Sequence, residues 1–321
     1  VKGEQAVTGS REGDISLVER WRTRIPSWRV FLERAQIDRR LAIYDLLPMI
    51  WTPRARDVAA AVVAFFQPKS PWPRPTNQAR SWARDLAWQG LVPLPALDGE
   101  VAAEIRAYFQ GVRCSDPFRP HLGTFPWDQP ASDETNMGYY AVQDILAAPH
   151  VLALLNDPTI LDVAELYLGC KPVLDNIGCW WSYGDRPSAK GTQRYHRDWD
   201  SLKGFKLFFY LTDVGEEDGP HVFVRGSHRD PRLAVGKALS DEVVHRVFGA
   251  DKVATVTGPA GTRFLADTFG FHKGQLPRGG RRLILTAQYN VHSSPHTPRQ
   301  PWLPRDSHFD PDVNRRVMKR R

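Results

Sequence analysis

From about residue 15 to residue 92, apolar positions recur at three- and four-residue spacing among arginines. "ISLVERWRTRI", "FLERAQIDRRLAIYDLL" and "RDVAAAVVAFFQ" therefore read as amphipathic helices. The proline-rich "PKSPWPRP" breaks the pattern. "GLVPLPALDGEVAAEIRAYFQG" starts extended and continues as a helix with Asp98 at its N-cap. A loop-rich stretch from Gly111 to Met137 follows, and "HVLALLNDPTILDVAELYLG" predicts two short helices, the second closed by Gly169. Beyond Gly169 the period becomes that of strands: "KPVLDNIGCWWSY", "GFKLFFYLTDV", "PHVFVRGSH", "DKVATVTGPAGTRFLAD" and "RRLILTAQYNV", each bounded by glycine, proline or aspartate. Helices first and many short strands afterwards predict a mainly antiparallel β sandwich or barrel with flanking helices. The division expected is a helical N-terminal extension over residues 1–87 and a β domain over residues 88–321.

Composition narrows the picture. A chain of 321 residues suits one large β domain plus an extension. Its 11 tryptophans, 26 prolines and 24 glycines favour a turn-rich body over a long helical bundle. Part of the net charge of +7 sits in the terminal "RRVMKRR", which predicts a flexible basic tail. The remaining excess suits an anionic small molecule and lacks the dense basic stripe of a nucleic-acid binder. Cys114, Cys170 and Cys179 form an odd set without C-x-x-C spacing, so reduced thiols in a cytoplasmic protein are expected. The polar start "VKGEQAVTGSREGD" does not resemble a secretory signal, and the apolar run "VAAAVVAFF" is too short to span a bilayer. A small-molecule substrate is expected, with neither nucleic acid nor membrane as partner.

Candidate chemistry centres on "QRYHRDWD". Residues two apart on a strand share a face, so His196 and Asp198 can present an imidazole and a carboxylate to one point. Alone, the pair reads as a hydrogen-bonded surface pair. His272, in "LADTFGFHKG", supplies a third donor. Two imidazoles and one carboxylate on one face of an octahedron are the ligand set with which non-haem Fe(II) oxygenases hold a cosubstrate and dioxygen (O2) together. The usual cosubstrate, 2-oxoglutarate, needs a cation for its distal carboxylate, and "RRLILTAQYN" carries one. By alternation Arg282, Ile284, Thr286 and Gln288 share the more polar face, so Arg282 is the anchor with Thr286 as an added hydroxyl donor; Arg281 is the fallback.

The order "HRD" (196–198), "FYLTDVGEEDGPHVFVRGSHR" (209–229), "DTFGFHKG" (267–274) and "RRLILTAQY" (281–289) resembles the phytanoyl-CoA dioxygenase-like family of Fe(II)/2-oxoglutarate oxygenases over roughly residues 88–291. The resemblance implies a double-stranded β-helix of the jelly-roll, cupin-like kind, with His196, Asp198 and His272 as iron ligands and Arg282 as cosubstrate anchor. It also implies hydroxylation of an unactivated C–H bond coupled to conversion of 2-oxoglutarate into succinate and carbon dioxide. A carboxylate at position 198 argues against halogenation, and leaves desaturation and ring formation beside hydroxylation. Two positions depart from the family: His221 where an apolar residue is usual, and Arg225 where proline is.

Neighbouring residues are weighed on the same footing. His228 more often closes a turn than binds metal, and His221 is set aside as a ligand though near the pocket mouth. Trp180, Trp181, Tyr183, Trp199 and Phe208 are expected to divide between core and pocket. Lys206 reads as solvated, Gln193 as a neighbour of the metal segment, and Asp267 as either an acceptor for the distal histidine or a plain turn residue. The competing functions are a non-redox metal enzyme on a similar barrel, which leaves Arg282 unexplained, and a catalytically silent metal-binding or scaffold protein.

Overall fold

The computed structural model describes residues 28–71, 75–233, 238–294, 301–306 and 308–319. The predicted helix "ISLVERWRTRI" lies outside them. Four helices come first: α1 (Trp28–Ile37), α2 (Arg39–Leu46), α3 (Pro53–Phe65) and α4 (Asn77–Gln89). Thr52 and Thr76 cap the last two, their side chains accepting from the Ala55 and Ala79 amides, and Pro53 stands at the first helical position of α3. α4 ends at Gly90 in the left-handed region (φ 76°); a Cβ there would meet the His228 ring at 2.5 Å, so both the turn and the close approach require glycine.

Eleven strands follow among the described residues: β1 (Leu91–Leu94), β2 (Cys114–Ser115), β3 (Thr124–Phe125), β4 (Met137–Tyr139), β5 (Val173–Tyr183), β6 (Gly204–Tyr210), β7 (His221–Val224), β8 (Val253–Val256), β9 (Arg263–Ala266), β10 (His272–Gly274) and β11 (Arg281–Asn290). Between them lie α5 (Gly99–Gly111), α6 (Val142–Ala147), α7 (Val151–Leu155), α8 (Pro158–Leu168) and α9 (Asp241–Phe248). Asp98 caps α5, accepting from the Glu100 amide at 2.7 Å, and Gly169 closes α8 at φ 79°.

The strands form two antiparallel sheets. The larger runs β1-β9-β6-β11-β5-β4-β2-β3 and the smaller β10-β7-β8. Leu283, Leu285, Ala287 and Tyr289 of β11 face the helices and join a core that includes Ala60 and Ala64 of α3, Ala79, Ala83 and Leu86 of α4, and Val163 of α8. α3 and α4 thus share the main hydrophobic core, and residue 87, where the sequence division is drawn, lies inside α4. The opposite face of the large sheet looks at the small one, where Phe208, Tyr210, Phe264 and Ile284 pack with Phe223. Parity decides which residues reach this interior.

"DKVATVTGPAGTRFLAD" is not one extended segment: β8 belongs to the small sheet and β9 to the large one, with the chain crossing over between them. "RRVMKRR" is not a free tail over residues 315–319. Val317 and Met318 are buried in the main core, Leu303 pairs with Met318, and Arg316 Nε donates to Ser293 Oγ at 2.9 Å. Two apolar side chains in the basic run anchor it.

Candidate metal centre and anion pocket

His196 and His272 lie opposite each other in an isolated antiparallel bridge, joined by main-chain hydrogen bonds of 3.0 and 3.1 Å in the two directions. Two residues on, the Asp198 amide donates to Thr268 O at 2.8 Å. Residues 197–199 are not in a regular strand, so main-chain ties to 268–272, more than strand parity alone, bring the carboxylate round. Ligand atoms of His196, Asp198 and His272 all fall within 4.8 Å of one another. His196 Nε2 is 3.4 Å from Asp198 Oδ1, and His272 Nε2 is 3.7 Å from Asp198 Oδ2.

The tautomers follow from the neighbours. His196 Nδ1 lies 2.9 Å from Arg194 O, and His272 Nδ1 lies 2.9 Å from Gly270 O. A carbonyl only accepts, so each Nδ1 carries a proton, and each Nε2 faces Asp198. Such outer hydrogen bonds fix ring orientation in metal sites. Burial, reinforced by His196, pushes the His272 imidazole down to about 3 against the pull of Asp198, which keeps it neutral. Burial pushes the Asp198 carboxyl up, but the Lys206 ammonium and the two imidazoles outweigh it and hold the group well below the usual carboxylate range. Two imidazole nitrogens and one carboxylate oxygen at this spacing fit a divalent cation.

Lys206 overturns its reading as a solvated lysine. On β6 it shares a face with Phe208, and both line the cavity of about 330 Å³ that also holds the triad. Its Nζ donates to Asp198 Oδ2 at 2.6 Å, with both side chains 16% exposed. The signal was present in the sequence: in "GFKLFFY" position 206 shares parity with 208, and a lysine there has to face whatever Phe208 faces. Lys206→Met is expected to lower metal-free stability by about 3 kcal/mol, the lower end of the range for breaking a buried pair. It is also expected to tighten divalent-metal binding, since the cation no longer shares Asp198 with an ammonium. Thermal melts with and without Zn(II) check both, and unchanged values disprove the coupling.

Arg197 points away from the flanking His196 and Asp198 into the protein. Its guanidinium donates to four main-chain carbonyls: Ser227 (2.9 Å), Phe269 (2.8 Å), Asp230 (2.8 Å) and Arg232 (3.1 Å). Burial pushes it down to about 9. It clamps the ligand-bearing segment to the loops before His272. Asp267 does not orient His272: it accepts from Tyr167 Oη and from the Phe269 amide, a turn role. His228 Nε2 lies 3.1 Å from Ala87 O and holds α4.

At another part of the same cavity stand Arg282 and Thr286. Arg282 is buried on the interior face of β11, while Arg281 is exposed. The Arg282 guanidinium donates to Gly219 O and to Ser182 Oγ (3.2 Å), and its Nε has no partner among the described residues. Burial lowers its pKa, and the Tyr210 and Tyr139 hydroxyls oppose that. Thr286 Oγ1 lies 3.4 Å from Gly178 O. Trp180 and Phe208 line the cavity, whereas Trp181 and Tyr183 are buried in the core on the other face, as alternation requires. Gln193 also lines it, its Oε1 accepting from Asn136 Nδ2 at 2.7 Å. All three cysteines are buried and unpaired, and no described helix is long and apolar enough to cross a membrane.

No family model matches the chain, and no curated protein does. The phytanoyl-CoA dioxygenase-like resemblance therefore stands on its motifs alone. Solved structures with some likeness include the non-heme alpha-ketoglutarate-dependent epimerase SnoN from nogalamycin biosynthesis, 22% identical over 66% of this chain and 82% of that one, with a TM-score of 0.48. EctD from S. alaskensis with 2-oxoglutarate and 5-hydroxyectoine is 20% identical over 70% of this chain and 82% of its own, with a TM-score of 0.48. HygX from Streptomyces hygroscopicus with nickel and 2-oxoglutarate is 17% identical over 73% and 93%, with a TM-score of 0.46. Likeness at this level assigns no activity, and the case for one rests on the side chains described above.

Proposed function

We propose that this chain is an Fe(II)- and 2-oxoglutarate-dependent oxygenase on a double-stranded β-helix, hydroxylating a small polar or anionic metabolite. The observation that carries the reading is the presence, in one cavity, of a two-imidazole, one-carboxylate group and a buried arginine whose Nε has no partner among the described residues. A structural or hydrolytic metal site needs the first and has no use for the second. The winding supports the fold assignment: β9, β6, β11 and β5 lie side by side in the large sheet, and the His196 bridge, β10, β7 and β8 lie side by side opposite them.

Iron with 2-oxoglutarate and dioxygen would supply the oxidant for an unactivated C–H bond, with succinate and carbon dioxide as the coproducts. The protein's share is to bind, orient and exclude water. His196, Asp198 and His272 would hold the metal, their tautomers set by Arg194 O and Gly270 O. Arg282 and Thr286 would receive the distal carboxylate of the cosubstrate, a charge-assisted contact inside an otherwise apolar wall of Trp180, Phe208 and Ile284. Lys206 keeps Asp198 ionised. A second cavity of about 300 Å³, bordered by Asp116, Arg119, Glu134 and Lys190, shares Met137 with the first and supports a substrate with polar or charged groups.

Purified protein with Fe(II), ascorbate, 2-oxoglutarate and air is expected to release succinate, slowly without substrate and faster with the right metabolite, whose mass then rises by one oxygen atom. Absence of succinate above that of a His272→Ala control across a metabolite library would overturn the reading. Metal binding without succinate would favour a silent binding protein.

A further inference from the structure

His221 opens β7 on the interior face of the small sheet, directly opposite Gly274 of β10 in the ladder. The residue is 3% exposed. Its ring lies against Phe208 (4.7 Å between centroids), Phe264 (5.1 Å) and His272 (5.6 Å). Its Nε2 is buried with no hydrogen-bond partner among the described residues. A buried polar atom left unpaired is costly and rare, and calls for an explanation. Packing does not give one, since a leucine or phenylalanine would fill the gap between Phe208 and Phe264 without stranding a nitrogen.

The explanation lies across the cavity. Gly274, the ladder partner of His221, borders the Arg282 guanidinium: a Cβ on Gly274 would sit 2.9 Å from Nη2. His221 and Arg282 therefore flank the same space from facing sheets, with Thr286 on the Arg282 side. A carboxylate has about four lone-pair sites, more than one guanidinium edge and one hydroxyl fill.

We propose that His221 Nε2 donates a hydrogen bond to the distal carboxylate of the oxo acid, as a third donor beside Arg282 and Thr286, and so selects a dicarboxylic cosubstrate. The assignment rests on the oxygenase reading above, in which Arg282 is the anchor. A partner atom supplied by the ligand accounts for a nitrogen that the protein leaves unsatisfied.

The test compares 2-oxoglutarate with 2-oxobutanoate, which has the same chelating end and no distal carboxylate, by calorimetry on Zn(II)-loaded wild type, His221→Leu and His221→Gln. His221→Leu is expected to weaken 2-oxoglutarate about tenfold, equivalent to about 1.4 kcal/mol, and to move 2-oxobutanoate by less than about twofold. His221→Gln, which keeps an N–H donor, is expected to recover most of the loss. Zn(II) affinity stays at the wild-type value, and the melting temperature of the leucine variant does not fall. The affinity ratio of the two acids is read within each variant, so a change in the folded fraction cancels. Should the leucine variant not fold, His221→Phe carries the same comparison. Equal weakening of both acids, or no change in either, overturns the inference while leaving the oxygenase reading intact. Failure of the metal-loaded wild type to bind 2-oxoglutarate overturns both.

Discussion

His272→Ala is expected to lose divalent-metal binding and all succinate production while keeping its fold. The ladder contacts of His272 with Phe223 and with His196 are main-chain, so the substitution leaves β10 in place while removing the imidazole's contacts with Gly270 O, Asp198 and the His196 and His221 rings. What disappears is one of three donors. Loss of an outer-shell partner costs about 10–100-fold in metal affinity, so loss of a ligand itself is expected to cost at least about 100-fold. Linkage makes this measurable without turnover. At a metal concentration of about 100 dissociation constants the wild type gains about 2.7 kcal/mol, whereas a variant binding 100-fold more weakly gains about 0.4 kcal/mol. Melts with Zn(II) or Mn(II) therefore separate the two proteins, and the metal-free melts are expected to lie within a few degrees of each other. A metal-induced shift of wild-type size in His272→Ala would show that the three side chains do not act on one ion.

Much of this arrangement is legible in the chain because it follows from parity. Arg281 and Arg282 are chemically alike, and only alternation against Leu283, Leu285 and Ala287 tells which enters the interior; the structure places 282 inside and 281 outside. The same rule separates Trp180 from Trp181. Lys206 obeys it too: residue type favours solvent for a lysine, whereas parity with Phe208 puts it in the cavity and next to Asp198.

Other features depend on contacts that no local pattern encodes. The Arg197 clamp joins carbonyls from two loops, and its buried charge sits in a segment that looks like an ordinary polar turn. Asp267 precedes His272 closely in sequence, yet the intervening turn sends it to Tyr167. α9 is only eight residues long, and although Val243, Val244, Val247 and Phe248 recur at helical spacing, two turns between strand-like segments are easily passed over. At the C-terminal end the charges suggest a free tail, whereas burial of Val317 and Met318 decides where the segment lies. Composition reports the average of a segment, whereas one or two anchors determine its position.

Arg282→Met is expected to abolish binding of 2-oxoglutarate while leaving metal binding close to wild type, because the arginine touches the cavity and none of the three metal donors. Each hydrogen bond to a charged group contributes about 1.5–3 kcal/mol, so losing a two-pronged contact is expected to weaken the cosubstrate at least about 100-fold. Removing the guanidinium also takes donors from Gly219 O and Ser182 Oγ, and some loss of stability accompanies the substitution. Arg282→Lys separates charge from geometry. It restores a cation in the same place but cannot serve the two protein acceptors and a carboxylate fork at once, so it is expected to recover only a minor part of the affinity. Calorimetry of 2-oxoglutarate on Zn(II)-loaded proteins, with Zn(II) affinity measured in parallel, gives both readouts. Wild-type 2-oxoglutarate affinity in Arg282→Met would move the anchor elsewhere, with Lys206 the next cation in the cavity, whereas joint loss of metal and cosubstrate would mean that the arginine holds the site together without receiving the carboxylate.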